Sequence, residues 1–368
     1  MAKRERQSNI ELLRILAIIG VIVLHYNNPG VGGGMSFARQ GSENYYILYI
    51  LQAVFDCGVN LFILISGYFL CRTKKVSLWK PIELTVQVML FSEGVYLAQV
   101  IAKQSAFSVK TMFTSMIPAN YFLILYCVVY ILAPFINALI DRLNDRNLRT
   151  LVVIGIVLFS VYPTIVDVLG EIDGEEIIGL STIGKYGSQW GYSLVNFLLM
   201  YLIGAHLFRS KGGIKEWKTV SLLGVFVLSA AAVFGWSMLN VKFGYFKEPS
   251  AWEYCNPLII LIAVVVFVLF GRLSLGTNKV INKLAEGVFS VFLLHSVLLK
   301  HIPIERFVQG NVFVMLLHIA ACAVGLYLAC WCVHMVYHFI TDPIFAKLSA
   351  GHKLEIRVDE PAAAADGQ

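Results

Sequence analysis

The stretch IELLRILAIIGVIVLHY, residues 10–26, decides the fold class, because it is apolar enough to cross a bilayer and yet carries Arg14 and His25. These two residues are 11 positions apart. In an α-helix that spacing places them about 20° apart around the axis and roughly 16 Å apart along it. An ionisable residue within a membrane span indicates a functional site by default. We therefore expect one face of this helix to line a pathway or a site.

The rest of the chain has the same apolar character. Of its 368 residues, 58% are hydrophobic and 14% are charged, which excludes a soluble globular protein. We predict an all-α polytopic membrane protein that has no nucleic-acid partner. The seven cysteines have no paired spacing, so we expect no disulfide framework, no metal site and no permanently bound cofactor.

Runs long enough to cross a hydrocarbon core of about 30 Å predict about ten transmembrane helices. They lie at residues 10–26, 46–70, 84–102, 119–140, 150–169, 192–208, 219–241, 257–273, 286–303 and 312–340. Of the 29 Lys and Arg residues, 20 fall on the predicted inner side and 8 on the outer side, and Arg14 lies within the first span. The positive-inside rule therefore predicts that both termini are cytosolic. We assign residues 1–340 to a transmembrane domain and residues 341–368 to a cytoplasmic tail whose end we expect to be disordered.

Basic residues gather at the inner end of the first helix. Glu11 and Arg14 have the i,i+3 spacing of an ion pair, which reduces the cost of a guanidinium at this depth. Four inner cations, Arg72, Lys74, Lys75 and Lys80, follow the second span on the same predicted side. Together with Arg14 they are suited to hold the phosphates of a nucleotide-bearing donor. For the loop residues, the alternative is an ordinary positive-inside signal.

His25 lies at the outer end of the first helix, where an imidazole suits proton transfer from a hydroxyl. We expect Asp56 or Glu93 to orient it. The alternative is a histidine whose hydrogen bonds are satisfied within the bundle. Arg14 is a further candidate for stabilising charge in a transition state, although its distance from His25 argues against that role.

Further polar residues lie within or beside the predicted spans. Asp56 and Asn60 share one face of the second span, Ser66 follows them, and His295 lies in the ninth span. We expect Asn60, Ser66 and His295 to contact the substrate, although such residues can also join helices by hydrogen bonds. Trp190 belongs to an outer loop whose carboxylates and aromatic rings suit a sugar, or simply face solvent and the membrane interface.

Three motifs carry a resemblance to a known family. They are N-I-E-L-L-R at 9–14, the spacing Arg14-x10-His25, and G-V-N-L-F-I-L-I-S-G-Y-F-L at 58–70. In these motifs the chain resembles the integral-membrane acyltransferase-3 family. The resemblance implies ten helices, with Arg14 and His25 as the essential arginine and histidine. Glu11 stands where the family usually has Asp.

The resemblance also implies the reaction. We expect transfer of an acyl group, most often acetyl, from cytosolic acetyl-CoA or another acyl-CoA to a hydroxyl of an extracytoplasmic glycan or glycolipid. The expected setting is a bacterial plasma membrane, with lipid and possible glycan-assembly proteins as partners. Direct transfer and an acyl-enzyme both remain open. The alternative function is a proton-coupled transporter or flippase of a glycan or lipid that uses His25, Glu93 and His295 as a proton relay.

Overall fold

The structure, a computed structural model, describes residues 6–173, 191–210, 212–243 and 250–358. Helices dominate it. In chain order they are α1 Ser8–Asn27, α2 Gly34–Phe37, α3 Glu43–Phe55, α4 Gly58–Leu70, α5 Trp79–Ile101, α6 Val109–Ser115, α7 Tyr121–Arg142, α8 Asp145–Ile156, α9 Tyr162–Asp173, α10 Leu194–Arg209, α11 Thr219–Phe243, α12 Pro257–Gly271, α13 Lys279–Ala285, α14 Val288–Leu299, α15 Glu305–Val308 and α16 Val312–Gly351. A π-helical turn, Val157–Val161, joins α8 to α9, and strands β1 Lys75–Ser77 and β2 Glu355–Arg357 form an antiparallel pair.

Seven segments of the described residues are long and apolar enough to cross a membrane: α1, α3 with α4, α5, α7, α8 with the π-helical turn and the first turn of α9, α11, and α16. The pair α13 and α14, bent by 56°, makes an eighth if it counts as one span. Helices α10 and α12 are apolar but only 16 and 15 residues long. The prediction of an all-α polytopic membrane protein is thereby confirmed, whereas the count of ten stays a prediction.

Several helices begin at a polar residue whose side chain accepts a hydrogen bond from a free backbone N–H of the first turn. Ser42 caps α3, Asn120 caps α7 and Ser193 caps α10 in this way. Asn256 caps α12, which then starts with Pro257, a residue that lacks the N–H that would go unpaired there. These residues give the apolar helices defined starting points.

Two predicted spans are broken, and the last one is longer than expected. The second span is interrupted after Phe55, and the ninth bends next to Gly287, where a Cβ atom would lie 2.6 Å from the Trp331 ring. The final helix runs to Gly351 instead of residue 340. Beyond it β2 pairs with β1, which ties the described part of the tail to the loop before α5.

Helix α1 is the central helix of the bundle. Of the seven candidate spans it has the largest buried share, 61%. Ile10, Leu13 and Ala17 belong to one hydrophobic core, while Ile18 and Ile22 belong to a second core that lies on another side of the helix. Because neighbours surround α1, its polar side chains face other protein groups more than lipid.

Helices α4 and α10 cross closely at two glycines. A Cβ atom on Gly67 would lie 2.2 Å from the carbonyl oxygen of Tyr201, and one on Gly204 would lie 2.3 Å from that of Leu64. Small residues at such crossings let two backbones approach and gain dispersion contacts in lipid. The Ser66-Gly67 pair of the sequence motif is therefore partly a packing feature.

We expect the substitution Gly67→Ala to destabilise the protein by at least about 1–3 kcal/mol, the usual cost of overpacking. Gly94→Ala is the matched control, since Gly94 lies within α5 and no atom lies within 4 Å of its added Cβ. At that position alanine lowers the conformational entropy of the unfolded chain, so the substitution stabilises the protein by about 0.4–1 kcal/mol. Thermal unfolding of the detergent-solubilised variants measures both effects. A Gly67→Ala protein that unfolds at the same temperature as the wild type would contradict the close crossing of the two helices.

Candidate functional site

A cavity of about 410 Å³, here called the first cavity, lies against the first half of α1. Residues of α1, α4, α5, α7 and α14 line it, among them Arg14 and Ser66. Its lining is charged near the start of α1, where Arg6, Glu11 and Lys80 lie, and is aromatic farther in. The first cavity can thus take a ligand with an anionic end and an apolar end.

A second cavity of about 800 Å³ adjoins the first. The two have six lining residues in common: Arg6, Arg14, Lys80, Leu84, Glu286 and Phe289. The second cavity extends along the last turns of α16, past His334, His338 and Asp342. Together the cavities offer room for a large ligand, with three cations where they meet.

Arg14 lies at this junction and is paired as its spacing predicts. Its Nη1 donates to Glu11 Oε2 at 3.0 Å, and 36% of its side chain is exposed. Arg6 donates to Glu286 Oε1 at 3.3 Å. A guanidinium has five N–H donors, so one carboxylate contact leaves others for a bound anion.

The other end of α1 presents a pair of histidines. His25 Nδ1 lies 2.5 Å from His295 Nε2, and His295 Nδ1 lies 2.7 Å from the backbone oxygen of Val291. His295 is fully buried, while His25 is partly exposed. The two side chains, called the histidine pair below, join α1 to α14.

The hydrogen bonds of the histidine pair assign its tautomers. A carbonyl oxygen only accepts, so His295 must carry its proton on Nδ1 and present a lone pair at Nε2. His25 then donates from Nδ1 to that lone pair, which leaves its own Nε2 unprotonated. The arrangement gives His25 the form of a general base that is held in orientation by His295.

Three phenylalanines, called the phenylalanine triad below, lie between the first cavity and the histidine pair. Phe62 of α4, Phe122 of α7 and Phe292 of α14 all line the cavity. The ring of Phe122 lies 6.2 Å from that of Phe62 and 5.0 Å from that of Phe292, between centroids. Phe292 in turn lies 6.5 Å from the ring of His295. The triad separates the cationic end of the site from its imidazoles.

The structure places three expected donor-binding cations outside the lining of both cavities. The Arg72 guanidinium lies 5.3 Å from the centre of the Phe208 ring, and Lys75 pairs with Glu355 at 3.2 Å. The backbone oxygen of Lys74 accepts a hydrogen bond from Val358. Lys80 lines both cavities instead, because α5 begins just before it and carries its side chain to the junction. The sequence grouped Lys80 with the other three inner cations and did not distinguish it from them.

The polar stripe of the second span divides into two roles. Ser66 lines the first cavity and donates to the backbone oxygen of Phe62 at 2.8 Å. Asn60 is buried between helices, where it donates to the Tyr254 oxygen at 2.7 Å and accepts from Asn196 at 3.2 Å. Its contacts are those of the helix-joining alternative.

The carboxylates expected to orient His25 lie in other settings. Asp56 is 3% exposed at the break between α3 and α4, and its Oδ2 has no hydrogen-bond partner among the described residues. Glu93 accepts from Ser115 Oγ at 2.5 Å, which joins α5 to α6. In place of either acid, His295 is the hydrogen-bond partner of His25.

Trp190 lies outside the described residues, so its expected contact with a sugar stays a prediction.

Several further polar side chains of the second cavity bond one another. Ser290 Oγ lies 3.0 Å from His334 Nδ1 and accepts from Gln87 Nε2 at 2.7 Å, which joins α14, α16 and α5. His338 bonds Asp342 at 2.6 Å. Within the described part of the chain, no three His, Cys, Asp or Glu side chains are grouped as a metal site would need.

We expect a cysteine at Ser66 to react with a membrane-impermeant maleimide added to the cytosolic face, because the residue lines the first cavity. The host is a variant without the seven native cysteines. Ile63→Cys is the control, since Ile63 lies on the same helix, is 1% exposed and does not line the cavity. Equal labelling of both cysteines, or labelling of Ser66→Cys from the outer face alone, would contradict this geometry and orientation.

Comparison with known proteins agrees with the motifs. A family model for an acyltransferase domain, that of the acyltransferase-3 family, matches residues 7–335. The matched segment includes Arg14, both cavity-lining stretches of α4 and α14, and the histidine pair. Neither a curated protein nor a solved structure matches the chain. The chain belongs to the acyltransferase-3 family and is a multi-pass membrane acyltransferase.

Proposed function

We propose that this acyltransferase transfers an acetyl group from cytosolic acetyl-CoA to a hydroxyl of a cell-surface glycan or glycolipid, in a bacterial plasma membrane. One observation carries the proposal. A cation-lined double cavity and an oriented histidine base lie at opposite ends of the same buried helix, with the phenylalanine triad between them. This arrangement suits a reaction whose two substrates arrive from opposite sides of the membrane.

The donor end of the site suits the nucleotide part of a coenzyme A thioester. Arg6, Arg14 and Lys80 meet at the junction of the two cavities, where they can hold phosphate groups by charge-assisted hydrogen bonds. Arg14 and His25 are roughly 16 Å apart along α1. Arg14 therefore binds the donor rather than the reacting carbonyl, and the long pantetheine arm leads the thioester through the aromatic part of the first cavity.

A carbohydrate acceptor is supported by the tyrosines at the His25 end of the bundle. The ring of Tyr192 lies 4.6 Å from that of Tyr121 and 4.8 Å from that of Tyr254, between centroids. Tyr49 lies 5.3 Å from the ring of Trp252. Tyr254 is buried in the core, whereas Tyr121 is 36% exposed and offers its ring face and hydroxyl to a sugar.

The proposed reaction is a direct transfer. The acceptor hydroxyl donates its proton to Nε2 of His25 while its oxygen attacks the thioester carbonyl carbon. The C–S bond then breaks, and the coenzyme A thiolate receives the proton from His25, so the products are an ester and free coenzyme A. His295 positions the base, since the Nδ1 proton of His25 stays hydrogen-bonded to His295 Nε2 throughout. Family membership favours this reaction over the transporter alternative.

We expect His25→Ala to abolish transfer, because general-base catalysis contributes about 10²–10⁴-fold. His295→Ala should lower the rate by about tenfold or more, as the base loses its orientation. His295→Gln should recover part of it, because the amide can both accept from His25 and donate to the Val291 oxygen. His301→Ala is the control, an exposed histidine in the turn after α14.

The measurement is base-labile acetate on the surface glycans of a strain that lacks this gene, complemented with each variant at matched membrane levels. Loss of acetate on deletion and rescue by the wild type support transfer. Full rescue by His25→Ala would contradict the assignment of His25 as the general base. Surface acetate that is unchanged on deletion of the gene would contradict the proposed function.

We expect Arg14→Gln and Lys80→Gln each to raise the KM for acetyl-CoA by about tenfold or more, since each removes a charged hydrogen-bond donor for phosphate. Arg146→Gln is the matched control, an exposed arginine near the start of α8 that lines neither cavity. Acyl transfer by inverted membrane vesicles, followed as a function of acetyl-CoA concentration, gives the KM. A KM for Arg14→Gln equal to that of the control would contradict donor binding at the junction.

A further inference from the structure

The orientation of the helices around the first cavity identifies its innermost lining residues. The bent pair α13 and α14 runs in the same direction as α1, since Ser8 at the start of α1 bonds Asn282 of α13 and His25 near its end bonds His295 of α14. Helix α4 runs the opposite way, because Gly58 at its start lies against Ala17 of α1, whereas Leu70 at its end lines the first cavity together with Arg6.

It follows that the deepest lining residue on α4 is Phe62 and the deepest on α14 is Phe292. On α7 the deepest is Phe122, whose ring contacts both. The cavity therefore ends, on the side of the histidine pair, against three contacting phenylalanine rings from three different helices.

Phe122 is held firmly in this position. It is 8% exposed, and besides the other two rings of the triad it contacts Phe197 at 5.8 Å and Tyr126 at 6.0 Å, between centroids. Phe62 and Phe292 are only half-buried. Interiors packed in this way yield little to an added methylene group. The central ring at the end of the cavity is therefore fixed in position.

We propose that the phenylalanine triad sets the acyl chain length of the donor and restricts the enzyme to short acyl groups such as acetyl. This inference rests on the proposed function. The acyl group leads as the donor enters the first cavity, so it meets the triad first, and a longer chain holds the thioester carbon farther from His25. An acetyl group adds one methyl there, whereas a hexanoyl group adds five carbons that meet Phe62 and Phe122.

The test compares acetyl-CoA with hexanoyl-CoA as donors. Inverted membrane vesicles that contain the full-length protein and its native acceptor receive each donor with a radiolabelled acyl group, and the base-labile label incorporated gives kcat/KM. We expect the wild type to prefer acetyl-CoA strongly. Phe62→Ala should lower the acetyl-to-hexanoyl ratio by about tenfold or more, since one methylene in an apolar pocket changes kcat/KM by about 10–200-fold.

A second triad variant and a matched control accompany this measurement. Phe122→Leu makes a smaller change at the centre of the triad and should shift the ratio in the same direction. Phe69→Ala is the matched control, a phenylalanine that also lines the first cavity but lies two turns nearer the end of α4, away from the histidine pair. Its effect on donor binding should fall on both donors alike and leave their ratio unchanged.

The outcomes separate this inference from the proposed function. A wild type that transfers acetyl and hexanoyl groups equally well overturns the inference, as does an unchanged ratio in both Phe62→Ala and Phe122→Leu with acetyl transfer retained. In both cases the proposed function stands. Vesicles in which the wild type transfers neither group contradict the proposed function, and the inference with it. A lower acetyl-to-hexanoyl ratio in the two triad variants, with an unchanged ratio in Phe69→Ala, supports the inference.

Discussion

The burial of α1 among its neighbours is the constraint on which the rest of this structure depends. In a bilayer, a polar group without a partner is costly, so a helix that carries Arg14 and His25 has to be enclosed by groups that match them. Glu11 matches the guanidinium within the same helix, and His295 matches the imidazole from α14. Two hydrophobic cores hold α1 between these neighbours and so keep both polar ends in place.

This enclosure divides the site into three zones along one helix. Cations lie where the two cavities meet. The phenylalanine triad lies at the deepest end of the first cavity, and the histidine pair lies beyond the triad. The zones differ in their side chains: charged at the junction of the cavities, aromatic at the triad, and imidazole beyond it. Under the proposed function, this one buried helix brings a cytosolic thioester and an outer hydroxyl together.

Close packing supports the zones from outside. The glycine crossing of α4 and α10 brings two backbones together and fixes the helix that carries Phe62 and Ser66. At the other end of the chain, pairing of β2 with β1 ties the tail to the loop before α5, and α5 presents Lys80 to both cavities. The last turns of α16 form part of the second cavity, so this segment contributes to the site as well as to the membrane domain.

The sequence by itself determined the properties that depend on nearby residues. Apolar runs gave the helical membrane class, the spacing of Glu11 and Arg14 gave their ion pair, and the Arg14-x10-His25 pattern gave one face of one helix. The partners of these residues came only from the tertiary structure. Nothing in a single sequence relates His25 to His295 across 270 positions, or selects Lys80 over Arg72 and Lys75 as the cation at the cavity. Those choices depend on helix directions and on where each helix begins, which packing decides because side chains far apart in the chain compete for the same buried space.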